Sequence, residues 1–153
     1  MYSTVLIVHS WLRWFTLATS VGAIVNATRP VPAGATRLPG KWWDTFFMLA
    51  VDLQMLAGLV LYFGLSPFTR EAMSDVGTAI RIPAVRFWSI EHAGAMFAAL
   101  VLVRVGRVAA LHAADLRTGA RRRLVCFVVS LAIMLAAIPW PGLAFGRPLF
   151  RWP

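Results

Sequence analysis

The sequence predicts an all-α integral membrane protein, an antiparallel bundle of four transmembrane helices. Three observations predict it. Of 153 residues, 59% are apolar and only 14% charged, with a mean hydropathy of +0.72. A soluble domain carries about 25% charged residues. Four apolar runs approach the ~20 residues that a bilayer core of about 30 Å requires. The basic residues, which set a net charge of +9, cluster between those runs, as the positive-inside rule places them. That clustering argues for a lipid bilayer as partner and against nucleic acid.

The first predicted span covers residues 4–26. No Lys or Arg precedes Arg13, so the run lacks the basic start of a signal peptide and is read as a helix. It stops at "TRPVPAGATRLPGK", too rich in Pro and Gly to continue a helix. The second span covers residues 42–65. Next, "SPFTRE" reads as the start of a short interfacial helix on the periplasmic side, with Ser66 as N-cap and Pro67 in the first turn. The third span covers 87–111. The fourth covers 124–144, its end kinked or stopped by the prolines of "PWPGLAFG". The whole chain, 1–153, is one four-span domain, and the seven tryptophans lie mostly near span ends, as an aromatic belt would place them.

Orientation follows from Lys and Arg. Arg29, Arg37, Lys41, Arg104, Arg107, Arg117, Arg121, Arg122 and Arg123 fall on one side; Arg70, Arg81, Arg86, Arg147 and Arg151 fall on the other. The first group marks the cytoplasmic face, which puts both termini in the periplasm and the chain in a bacterial inner membrane. The single cysteine, Cys126, excludes an intrachain disulfide framework and a CxxC metal site. No nucleophile triad, phosphate loop or nucleotide fingerprint is present, and whether the chain is an enzyme stays open.

Polar residues inside spans carry the functional signal, because they are costly there. At about 1.5 Å per residue, His9 lies roughly 9 Å and His92 roughly 10 Å outward of their span centres. Spans one and three run parallel in an up-down bundle, so two sequence-distant histidines share a depth. At about 100° per residue, His9, Arg13, Thr16 and Ser20 form one stripe, which must face the bundle interior. Asp52, in the middle of span two, is the expected partner of Arg13. Imidazole is the commonest axial ligand of haem, and facing bundle helices are the usual place to hold a cofactor. His9 and His92 are therefore the candidate ligands of a haem b. Met96, one turn deeper, and Arg13 would line the pocket, and Arg86, with Arg81, Arg147 and Arg151, would meet propionates. Glu91 lies about 100° from His92 and does not share its face. His112 has no intramembrane histidine partner and is read as interfacial.

The stretches "HSWLRWF", "GLVLYFGLSP", "FWSIEHAGAMFAALVLVRVGR" and "IPWPGLAFGRPLFR" resemble small four-helix bacterial membrane proteins labelled cytochrome b-like. The similarity touches all four spans. It implies b-type haem or electron transfer, with His9 and His92 at the matching positions, and the chain lacks the second histidine pair of larger di-haem cytochromes. The leading expectation is a single-haem b-type membrane cytochrome that transfers electrons near the periplasmic face to a redox partner. Two alternatives remain. One is a non-catalytic accessory or assembly subunit of a larger respiratory or photosynthetic membrane complex. The other is a quinone-binding or proton-conducting protein that uses His9, His92, Glu91 and the Arg13–Asp52 pair without haem.

Overall fold

The computed structural model describes residues 1–152, apart from the side chain of Thr78. Helices dominate, and no strand occurs among the described residues. Helix α1 is Tyr2–Ala27. Helix α2, Lys41–Leu59, continues without a break into a π-helical turn, Val60–Leu65. Three short helices follow: α3 (Pro67–Ser74), α4 (Val76–Arg81) and α5 (Pro83–Arg86). A second π-helical turn, Phe87–Glu91, leads into α6, His92–Leu111, and the last helix, α7, is Leu116–Ala136.

Local chemistry explains the boundaries. Ser66 caps α3 through a hydrogen bond from the Thr69 N–H at 3.3 Å, with Pro67 in the first turn, as the sequence predicts. Helix α7 begins well before residue 124. Asp115 caps it, accepting from the Thr118 N–H at 2.9 Å and the Thr118 hydroxyl at 2.8 Å. Those two bonds, the backbone one first, hold the Asp115 carboxyl below its usual range. Arg117 and Arg121 to Arg123 therefore ride on the first turns of a helix, not in a loop. The same helix stops at Ala136, short of residue 144, because Pro139 and Pro141 have no N–H to extend the ladder.

The long helices form an up-down bundle. Helix α1 packs on α2 and α7, and α6 packs on the same two, so α1 and α6 face each other across the diagonal. Neighbours are antiparallel. Thr16 meets Ala50 while Gly22 meets Trp43, and Ser130 meets Ala99 while Gly106 meets Cys126. Close approach at the α6–α7 seam needs Gly106, where a Cβ would sit 2.5 Å from that of Cys126.

The interior combines an apolar cluster with buried polar groups. Ala23, Phe47, Val51, Ala99, Val103, Phe127 and Met134 form the cluster, and Phe47 meets Phe127 edge-to-face at 5.3 Å. Thr16 and Ser20, on the stripe predicted for α1, are buried, and Thr16 donates to the carbonyls of Leu12 and Ala50. Many large apolar side chains point outward instead, among them Leu49, Leu56, Phe63, Phe97 and Val105.

By length and composition, two helical segments can cross a membrane: Lys41–Leu65 and Pro83–Leu111. The expectation of four such helices is not met. In α1, His9, Arg13 and the row of hydroxyls dilute the apolar run. In α7 the arginines of the first turns shorten it.

Candidate functional site

A cavity of about 250 Å³ opens where α1, α2 and α6 diverge at the end of the bundle that carries both termini. A single water needs roughly 15 Å³ on the same measure, so this space is of ligand size. Its walls are mostly apolar, with Met55, Phe68, Trp88 and Met96 among them, and its polar lining includes His9, Arg13, Gln54, His92, Arg147 and Arg151.

The structure brings the two predicted histidines together. Their ring centroids are 6.4 Å apart, with planes at 66°. His92 donates from Nδ1 to the Ala137 carbonyl at 2.8 Å. That carbonyl is available because the residue four positions on, which would supply the helical N–H, is Pro141. The bond sets the tautomer of His92 and leaves its Nε2 with no hydrogen-bond partner among the described residues. The ring lies among aromatics, 5.5 Å from Trp88 and 5.7 Å from Phe87.

His9 is held from α2. Its Nε2 lies 3.2 Å from the Gln54 amide nitrogen, and both His9 Nδ1 and Gln54 Oε1 are buried without a partner. The reversed amide serves as well, with Oε1 accepting from Nε2–H and Nδ1 left as a bare lone pair. In either arrangement one ring nitrogen of His9 has no protein partner. Gly58 gives this imidazole room, since a Cβ there would stand 3.4 Å from His9 Cε1.

Both π-helical turns border the cavity. The Ser66 N–H reaches the Leu61 carbonyl at 2.7 Å, the i to i+5 bond of the first turn. Tyr62 in that turn donates to the carbonyl of Ser89 in the second at 2.8 Å. Such turns are rare and concentrate at functional sites. Residues 137–152 fold back against the cavity mouth. The indoles of Trp11 and Trp14 donate to the Arg151 and Leu149 carbonyls at 3.0 and 3.1 Å, and Phe150 stacks on Trp14 at 5.2 Å.

Two sequence-based expectations are overturned. Arg13 does not pair with Asp52. It donates to the Leu149 carbonyl and, at 3.4 Å, to the Ser10 hydroxyl, whereas Asp52 pairs with Arg104 on the exposed flank between α2 and α6. The reason is helical phase. Gln54 faces α1, and Asp52, about 200° away, faces elsewhere. Arg86 does not line the cavity. Its Nε pairs with Glu91 at 2.6 Å on the exposed surface, and the π-helical turn separates it from His92. Met96, Arg147 and Arg151 do line the cavity. His112 is exposed at the end of α6, with Nδ1 on the Val108 carbonyl.

The sequence reading missed one cluster at the other end of the bundle. Asp44 accepts from Arg123 at 2.7 Å and from Arg107 at 3.2 Å, and Asp44 and Arg123 are wholly buried. Asp44, as an acid in an apolar helix, was the available signal. Among the described residues no three His, Cys, Asp or Glu side chains gather as a metal cage, so a metal at the cavity would need ligands beyond the protein's two imidazoles. No family model, curated protein or solved structure matches the chain.

Proposed function

We propose that the chain is a four-span membrane protein that holds a b-type haem between His9 and His92. The observation that carries this reading is the imidazole pair. Two histidines from diagonal helices reach one cavity, and among the described residues each keeps a ring nitrogen with no hydrogen-bond partner. The two ring centroids stand 6.4 Å apart, close enough that both imidazoles could hold one haem. The apolar walls suit a macrocycle and Trp88 and Phe87 shield the His92 ring, while the Ala137 carbonyl fixes its orientation, as outer partners of a ligating histidine do. When bound, the haem supplies one-electron chemistry. The protein supplies the ligands, a low-dielectric pocket and a site near one end of the bundle, which suits exchange with a partner at that face.

The membrane reading rests on inverted packing. Of the two most apolar segments only 17% and 22% is buried within the protein, unlike core helices of a soluble domain. Serines, threonines and the Arg123–Asp44 pair sit inside, and large apolar side chains sit outside. Helices α1 and α7 share that bundle, with Thr16, Thr19, Ser20, Arg123 and Ser130 turned inward, and on this reading they cross the bilayer with α2 and α6. The excess of basic residues at the opposite end supports a periplasmic position for the cavity and both termini in a bacterial inner membrane.

The test is a reduced-minus-oxidised visible spectrum of the detergent-purified protein and of His92→Ala. A sharp b-type band that His92→Ala loses, while still inserting, is the expected result. A colourless protein from haem-supplied cells would refute the reading and leave a colourless quinone site or an accessory subunit in its place.

A further inference from the structure

The cavity is apolar along its body and cationic at its mouth, and among the described residues that line it no acidic side chain balances that charge. Arg13, Arg147 and Arg151 line it, and no Asp or Glu is among the lining residues. None of the three enters an ion pair among the described residues; the ion pairs there engage Arg86, Arg104, Arg107 and Arg123. The acceptors of Arg13, the Leu149 carbonyl and Ser10 hydroxyl, are neutral, and its Nε is buried with no partner. Arg147 lies over the faces of Trp88 and Phe68, at 5.4 and 5.7 Å. That stacking leaves the in-plane N–H edge of its guanidinium available to an acceptor. Partly buried cations without a counter-ion are expensive, and an anion supplied from outside relieves the cost.

We propose that the cavity mouth receives the acid group of an anionic amphiphile, a carboxylate or phosphate held by Arg13, Arg147 and Arg151, with the amphiphile's apolar body in the cavity. The guanidinium fork matches either acid. A neutral quinone leaves all three cations uncompensated, so the site discriminates against it. This inference rests on the cavity and its arginines, and it stands or falls independently of iron.

The experiment titrates the detergent-purified, haem-free protein with metal-free protoporphyrin IX and with its dimethyl ester, followed by porphyrin fluorescence. The two probes share an apolar body and differ in charge. Charge-assisted hydrogen bonds make the diacid bind about tenfold or more tightly than the ester. Arg147→Gln/Arg151→Gln erases most of that preference by weakening the diacid far more than the ester. Equal affinity for diacid and ester in the unmodified protein overturns the proposal, and so does a double variant that keeps the full preference. A short-chain phosphatidate that displaces the diacid identifies a lipid phosphate as a second occupant; failure to displace it restricts the site to carboxylates. The probe carries no iron, so an absent b-type band with a retained acid preference removes the haem and keeps this site. A present band without the preference does the reverse.

Discussion

Asp44→Ala should destabilise the protein by about 3–5 kcal/mol, the cost of removing one partner from a buried ion pair. The Asp44 carboxylate is the acceptor for two guanidiniums, Arg123 at 2.7 Å and Arg107 at 3.2 Å. Arg123 is wholly enclosed, and its remaining partner is the neutral Pro39 carbonyl at 3.0 Å. Truncation therefore strands two facing cations, one of them without water. The same charge types meet in Arg104–Asp52, where the side chains are 47% and 40% exposed. On the membrane reading that flank meets lipid, but Arg104 lies about two turns from the end of α6, and its long side chain can snorkel to the headgroups once unpaired, so Asp52→Ala should cost less than Asp44→Ala. Equilibrium unfolding in detergent, followed by tryptophan emission, compares the two variants directly. Asp44→Leu/Arg123→Leu should recover much of the loss, because an apolar pair leaves no stranded charge. The reasoning is refuted if Asp44→Ala and Asp52→Ala unfold within about 1 kcal/mol of each other, a gap smaller than burial demands.

Two further outcomes follow from the helix seams and caps. A Cβ on Gly22 would meet the Trp43 ring at 2.2 Å, so Gly22→Ala should cost about 1–3 kcal/mol by overpacking. The loss should vanish in a Trp43→Ala background, and a double-mutant cycle in the unfolding assay measures the coupling. The Asp115 carboxyl, lowered by its bonds from Thr118, stabilises the start of α7. That contribution is complete above the unfolded carboxyl's pKa of about 4 and fades as pH falls through the lower native value. Hydrogen exchange at the first turn of α7 should accelerate in that acid window, and Asp115→Ala should show no such acid step.

What the sequence made legible was whatever depends on one helix at a time. The stripe of His9, Arg13, Thr16 and Ser20 follows from the 100° rotation of α1. The shared depth of His9 and His92 follows from rise per residue and a simple topology. The cap at Ser66 is local chemistry. Partners across helices were harder to read. Pairing Arg13 with Asp52 needed the rotation of α2, which Gln54 and Ala50 set by facing α1. Arg123 looked like one more cytoplasmic arginine because charge alone does not reveal that α7 starts at Leu116 and carries it inward to Asp44. The tie between His92 and Ala137 depends on where α7 stops, and the prolines pointed to an end without fixing the residue.

The π-helical turn at Phe87–Glu91 makes the cavity sensitive to spacing as well as to composition. A π turn holds one residue more than an α turn needs. Deleting one residue there would let the ladder close as an ordinary α-helix, and the residues within the turn would change the direction they face relative to His92. His92 is anchored below by Ala137, and Tyr62 grips Ser89 above, so both anchors could not survive that change. The length of this segment is thus as much a part of the site as its imidazoles, and a chain with both histidines but one residue fewer between Arg86 and His92 would build a different pocket.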